Sequence, residues 1–263
     1  MLTETTLDHL PSWLLYCLSV LLLLSGGEIG FRIGLHRRAR MQEGEKAPAN
    51  AIVASTLGLL AFMLAFTFGM AGTRFDMRRQ LVLDEASAVL RSHQRAQFLP
   101  EPVKSNCSNL LLDYARLRIQ MAQMKSIAEV DQAILESEAI QNELWKETGS
   151  LADKPSAILA GFIQSLSELT DLQMKRVRAA GWNRIPFAII VTLSSIAYLA
   201  LMAVGYGAGL SGNRNIIPGL MLVLAFSAII ILILDLDRPR QRLFQVNQEP
   251  MSDILRRMET VDK

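Results

Sequence analysis

The sequence predicts an all-α membrane protein, with four transmembrane helices and a helical extramembrane domain between the second and third spans. Two observations carry this. Hydrophobic residues make up 51% of the 263 positions and gather in long blocks with few or no charges instead of spreading through amphipathic elements. Between the second and third blocks, Arg74 to Arg184 holds 15 basic and 14 acidic residues, the composition of a water-exposed domain.

The first block runs from about Leu10 to Gly34, centred on WLLYCLSVLLLL. The second, Ala51 to Thr73, has no charged residue. The third lies within Ile185 to Asn213 and the fourth runs from Asn215 to Leu234. A helix rises about 1.5 Å per residue, so roughly 20 apolar residues cross a hydrocarbon core of about 30 Å, and all four blocks are long enough. The N-terminus carries no Lys or Arg before the first block and no clear cleavage site, so that block reads as a retained span. The expected divisions are 1–73 for the first two spans and their loop, 74–184 for the helical domain, 185–235 for the last two spans, and 236–263 for a C-terminal tail.

Helical period dominates the middle domain. Leu110, Tyr114, Leu117 and Met121 share one face, and so do Leu159, Phe162, Leu166 and Leu169. Ile127 to Trp145 reads as a helix with a broader apolar stripe. Pro100 and Pro102 end the helix that continues from the second span, and Pro155 suits the first turn of another. In the tail, Pro239 and Pro250 precede a short helix over Ile254 to Met258.

Charge excludes some functions and orients the chain. A net charge of +2 from 27 basic and 25 acidic residues does not suit a nucleic-acid binder. Ten basic residues flank the spans on the side of the middle domain and six on the other, which places that domain in the cytosol. The first span alone favours the opposite sense. Cys17 and Cys107 form no CxxC or Cys/His cluster, so neither a metal site nor a disulfide framework is indicated. The histidines are scattered and no HExxH or GxSxG is present, so the chain reads as a non-enzyme that needs no cofactor.

Candidate functional residues lie on the spans. Phe62, Phe66 and Met70 recur at steps of four on the second span, with Arg74 and Arg78 continuing the series. Four residues overshoot a turn by about 40°, so three of these positions can face one axis but five cannot. The stripe can line a pore, where an apolar constriction stops ions by dewetting and a basic residue below raises local anion concentration. It can equally pack against other helices, with Arg74 as an interfacial anchor. Gly26, Gly30 and Gly34 let another backbone come close, in a neighbouring subunit or in the same one. Glu28 and Arg32 are spaced for an ion pair. Asp235 and Asp237, next to Arg238, form an interfacial ion or salt-bridge cluster; calcium alone wants about six to eight oxygens. GYGAGLSG, Gly205 to Gly212, reads as a tight turn between apolar helices and not as a nucleotide loop, which should follow a strand.

The stretch LGLLAFMLAFTFGMAGTRFDMRRQLVLDEASAV, from Leu57, and ILDLDRPRQRLFQVNQEP, Ile231 to Pro250, resemble the bacterial bestrophin-like family of membrane proteins. The resemblance implies kinship with bestrophins: pentameric channels, mainly for anions in animals and in some bacterial members for cations. It implies four spans, a helical cytosolic domain, both termini inside, and a multi-pass protein of the bacterial inner membrane. In bestrophins the second span lines the pore, and three bulky apolar residues form a narrow neck; Phe62, Phe66 and Met70 are the matching residues here. Arg74-Phe75 resembles the Arg-aromatic pair that follows that neck. The dense acidic run that helps animal bestrophins bind calcium is reduced to Asp235 and Asp237, so calcium gating is not implied.

The expected function is therefore a homo-oligomeric ion channel with the lipid bilayer, inorganic ions and its own copies as partners. The alternative is a non-conducting scaffold or sensor whose helical domain binds a partner. A secondary transporter fits less well, because paired broken helices in two repeats are missing.

Overall fold

A computed structural model describes residues 10–38, 46–124, 126–153, 156–181, 185–212, 214, 216–237 and 247–261. Every regular element among them is helical: α1 (Ser12–Arg38), α2 (Lys46–Ala96), α3 (Val103–Met121), α4 (Ile127–Gly149), α5 (Ala157–Gly181), α6 (Phe187–Ser211), α7 (Ile216–Asp237) and α8 (Glu249–Val261). Helices α1, α6, α7 and the apolar part of α2 are long and apolar enough to cross a membrane. The chain divides into a membrane unit, Glu4–Phe75 with Arg184–Phe244, and a helical unit, Asp76–Asn183 with Gln245–Lys263. At 51 residues, α2 is longer than any bilayer core requires and contributes to both units.

In the membrane unit, lipid tails are as apolar as leucine, so helices associate through close packing more than through hydrophobic transfer. The core joins Leu23 of α1, Leu60, Leu64 and Ala71 of α2, Leu193, Ala197 and Leu201 of α6, and Val223, Ile230 and Ile233 of α7. The tightest seam is between α1 and α6. A Cβ built on Gly30 would stand 1.9 Å from the Met202 carbonyl oxygen, and one on Gly34 2.3 Å from that of Tyr206. From the other side, Cβ atoms on Gly205 and Gly209 would stand 2.0 Å from the Gly27 oxygen and 2.3 Å from that of Phe31. Glycines on both helices thus interlock within one chain.

This corrects the reading of GYGAGLSG as a turn. Gly205 to Ser211 is helical, and its glycines serve backbone approach. The helix ends one residue later, at Gly212, whose φ of 69° and N–H donated to the Ala208 oxygen close it as a left-handed cap. Gly30→Val and Gly205→Val are each expected to lower stability by about 1–3 kcal/mol or more through overpacking against backbone that cannot yield. Gly161→Ala on α5, where nothing lies within 4 Å, should be neutral or better. Thermal melting of the purified variants in detergent reads the difference.

The helical unit has its own core. Val89 and Ala96 of α2 meet Cys107, Leu111 and Tyr114 of α3, Leu144 of α4, and Leu159, Phe162, Leu166 and Leu169 of α5. Helix α4 starts where the Glu129 carboxylate accepts the Ser126 N–H at 3.3 Å, and α5 where Ser156 Oγ accepts the Leu159 N–H at 3.1 Å. Pro155 lies outside the described residues. The C-terminal helix is longer than the sequence pattern suggests. It is no free tail, since Met251, Ile254 and Met258 enter this core. Burial pushes the Cys107 thiol up to about 12, helped by nearby Glu147. Its thiolate fraction at pH 8 is then about one in ten thousand, so alkylation by iodoacetamide at that pH should need unfolding. Mass spectrometry after labelling with and without urea tests this.

Candidate functional site

The exposed side of α2 in the membrane unit is unlike that of its neighbours. Leu60, Leu64, Thr67 and Ala71 face inward and are buried. Phe62 and Phe66 lie opposite and are 62% and 60% exposed. Around them most outward positions are small, Ala51, Ala54, Gly58, Ala61, Ala65, Gly69 and Thr73, with the bulky Ile52, Leu59 and Phe68 also exposed on this helix. Gly58 and Gly69 have nothing within 4 Å of a built Cβ. By contrast, α1 and α7 expose bulky aliphatic side chains such as Leu18, Leu21, Ile217 and Leu220, as lipid-facing helices do.

The stripe also turns along its length. Met70 is half-buried. From Phe62 to Arg74 the accumulated drift is about 120°, which carries Arg74 round toward the chain's own helices. There its guanidinium stands 3.7 Å from Asp237 Oδ1, at the end of α7. Arg78 falls in the helical unit and is half-buried. Phe62 and Phe66 therefore share one exposed face, and Arg74 does not continue it.

The two aspartates at the end of α7 are both buried. Asp237 accepts the Ile185 backbone N–H through both carboxylate oxygens, at 2.9 and 3.1 Å, which ties the start of α6 to the end of α7. Asp235 accepts a hydrogen bond from Ser12 Oγ at 3.0 Å, tying in the start of α1. These contacts and Arg74 bring the ends of α1, α6 and α7 and the middle of α2 to one level of the membrane unit. Arg238 lies outside the described residues. Among the described residues no cluster of His, Cys, Asp and Glu is built to hold a metal. Gly26, Gly30 and Gly34 are buried against α6, with Gly26 against Tyr198.

Sequence reasoning missed a buried ionic cluster in the helical unit. Glu85 of α2 is fully buried. Arg118 Nε lies 3.1 Å from its Oε1, and Arg176 reaches its Oε2. The Tyr114 hydroxyl donates to Glu85 Oε1 at 2.6 Å. Burial, reinforced by the Glu85 charge, raises the Tyr114 phenol far above its ordinary range, so it stays protonated as the donor. Gln173 extends the network by donating to Ser137 Oγ at 3.1 Å. The available signal was position: Arg118 falls on the face marked by Leu111 and Tyr114, where a charge has no place unless it is paired.

Four spans and a separate helical unit define the class: a multi-pass, all-α membrane protein. A family model described as Bestrophin-like domain matches residues 21–251, and the chain belongs to that family. Crystal structures of a bacterial bestrophin homologue from Klebsiella pneumoniae share the fold. One is 18% identical, covers 90% of this chain and 98% of that chain, and gives a TM-score of 0.65. Another is 19% identical, covers 94% and 95%, and gives 0.63. A search of curated proteins finds no match.

Proposed function

We propose that this chain forms an oligomeric ion channel in the bacterial inner membrane, with α2 facing the axis. The observation that carries the reading is the outward face of α2, where the exposed Phe62 and Phe66 stand among mostly small residues, two of them glycines with open space around them. A helix facing lipid tails gains nothing from glycine and alanine, whereas a helix crowded around an axis with its copies needs them. Phe62 and Phe66 then project into the axis as stacked apolar rings, with Met70 at the edge, and block hydrated ions until the neck widens or wets. By family likeness the assembly is a pentamer and the helical unit is cytosolic.

Arg74 takes a different part from the one its spacing suggests. Its pairing with Asp237 reduces the positive field it can project toward the axis, and it anchors the foot of the neck to α7. Anion preference therefore does not follow from Arg74 alone. Flux of several salts into liposomes carrying the purified protein tests the channel reading. No flux from intact, inserted oligomers would favour the non-conducting scaffold.

A further inference from the structure

We infer that the basic end of the α1, α6 and α7 packing binds the phosphate head group of an anionic phospholipid. Glu28 is the centre of the site. It accepts Arg32 Nε at 2.8 Å and Arg214 Nη2 at 2.7 Å, so one carboxylate holds two guanidinium groups and leaves one positive charge in excess. Arg214 lies over the Phe31 ring with its guanidinium carbon 5.2 Å from the ring centre, which fixes its plane. The Arg38 guanidinium rests on Gly212, two residues before Arg214, and the exposed Arg37 adjoins it.

Each arginine donates one hydrogen bond to Glu28, although a guanidinium has five N–H donors in a planar fork. The side chains of Arg32 and Arg214 are 77% and 58% exposed. Their remaining donors suit the oxygens of a phosphodiester, which guanidinium groups bind in pairs. The setting selects a lipid over free phosphate. Ile29 and Ile33 flank Arg32 on α1, and Ile216 and Ile217 follow Arg214 on α7, all of them exposed. A ligand with an anionic head and apolar tails satisfies both the donors and this surface; inorganic phosphate satisfies only the first.

The test titrates the full-length protein in detergent with phosphatidylglycerol or phosphatidylcholine and counts bound lipid by native mass spectrometry. Phosphatidylglycerol should bind more tightly. Each arginine near an anionic head group contributes about fivefold, so Arg32→Gln with Arg214→Gln should weaken phosphatidylglycerol binding roughly 25-fold and weaken phosphatidylcholine, whose choline cation offsets the same phosphodiester, by less. Glu28→Gln removes the counter-charge and should strengthen phosphatidylglycerol binding, an effect that damage to the fold cannot imitate. Arg256→Gln with Arg257→Gln, exposed on α8, removes the same charge elsewhere and should change nothing. Equal binding of the two lipids, no gain in Glu28→Gln, an equal loss in the α8 control, or displacement of the lipid by equimolar inorganic phosphate would each overturn the inference.

Discussion

Glu85→Gln is expected to cost the helical unit about 3–5 kcal/mol, the largest stability loss of any single charge change in this protein. The substitution keeps the shape of the side chain and removes only its charge. Arg118 is almost fully buried and Arg176 largely so, and Glu85 is the carboxylate between them. Without it, two guanidinium groups face each other away from water. Gln can still accept the Tyr114 hydroxyl, so the loss reports the charge and not the hydrogen bond. For a unit of this size the melting temperature should fall by roughly 10–20 °C, read by circular dichroism at 222 nm or by differential scanning fluorimetry. Adding Arg118→Met and Arg176→Met should restore most of the stability, because an apolar replacement of a whole buried ion cluster is often neutral or better. A small effect of Glu85→Gln alone would mean that water reaches the cluster.

That cluster marks the limit of what the sequence showed. The spans were legible because a bilayer demands about 20 uncharged residues in a row, and no other arrangement of this chain supplies them four times. The middle helices were legible in part. Leu159, Phe162, Leu166 and Leu169 keep a strict helical stripe, and all four are buried. Glu85 was not legible, since LDEASAV looks like solvated helix until Arg118 and Arg176 are brought to it from α3 and α5. Gly205 and Gly209 failed for a related reason. Glycine signals either a turn or a close approach, and only the partner glycines on α1 decide between them. The α2 stripe was legible as spacing, but its direction was not. A series of five at steps of four looks continuous in sequence, while the helix turns Arg74 toward Asp237 and away from Phe62.

The direction of that stripe gives the test of the proposed channel its force. Phe62→Ala combined with Phe66→Ala should leave the protomer's melting temperature nearly unchanged, because both rings are exposed within the chain and their loss opens no cavity in its core. If the rings pack only against lipid, ion flux should be equally indifferent. If they ring an axis, removing them widens an apolar constriction and flux should rise at least roughly tenfold, the equivalent of about 1.4 kcal/mol of barrier, with weaker discrimination among ions. Leu18→Ala with Leu21→Ala on α1 supplies the matched control, since those side chains are just as exposed but lie on a helix whose outward face is bulky and aliphatic. Flux that rises in the α2 variant and not in the α1 variant assigns the conduction path to α2. Flux that changes in neither, with both proteins inserted and assembled, removes the neck from the mechanism. A rise in both would instead mean that thinning any outward face loosens the assembly, and the neck would then explain nothing that general helix packing does not.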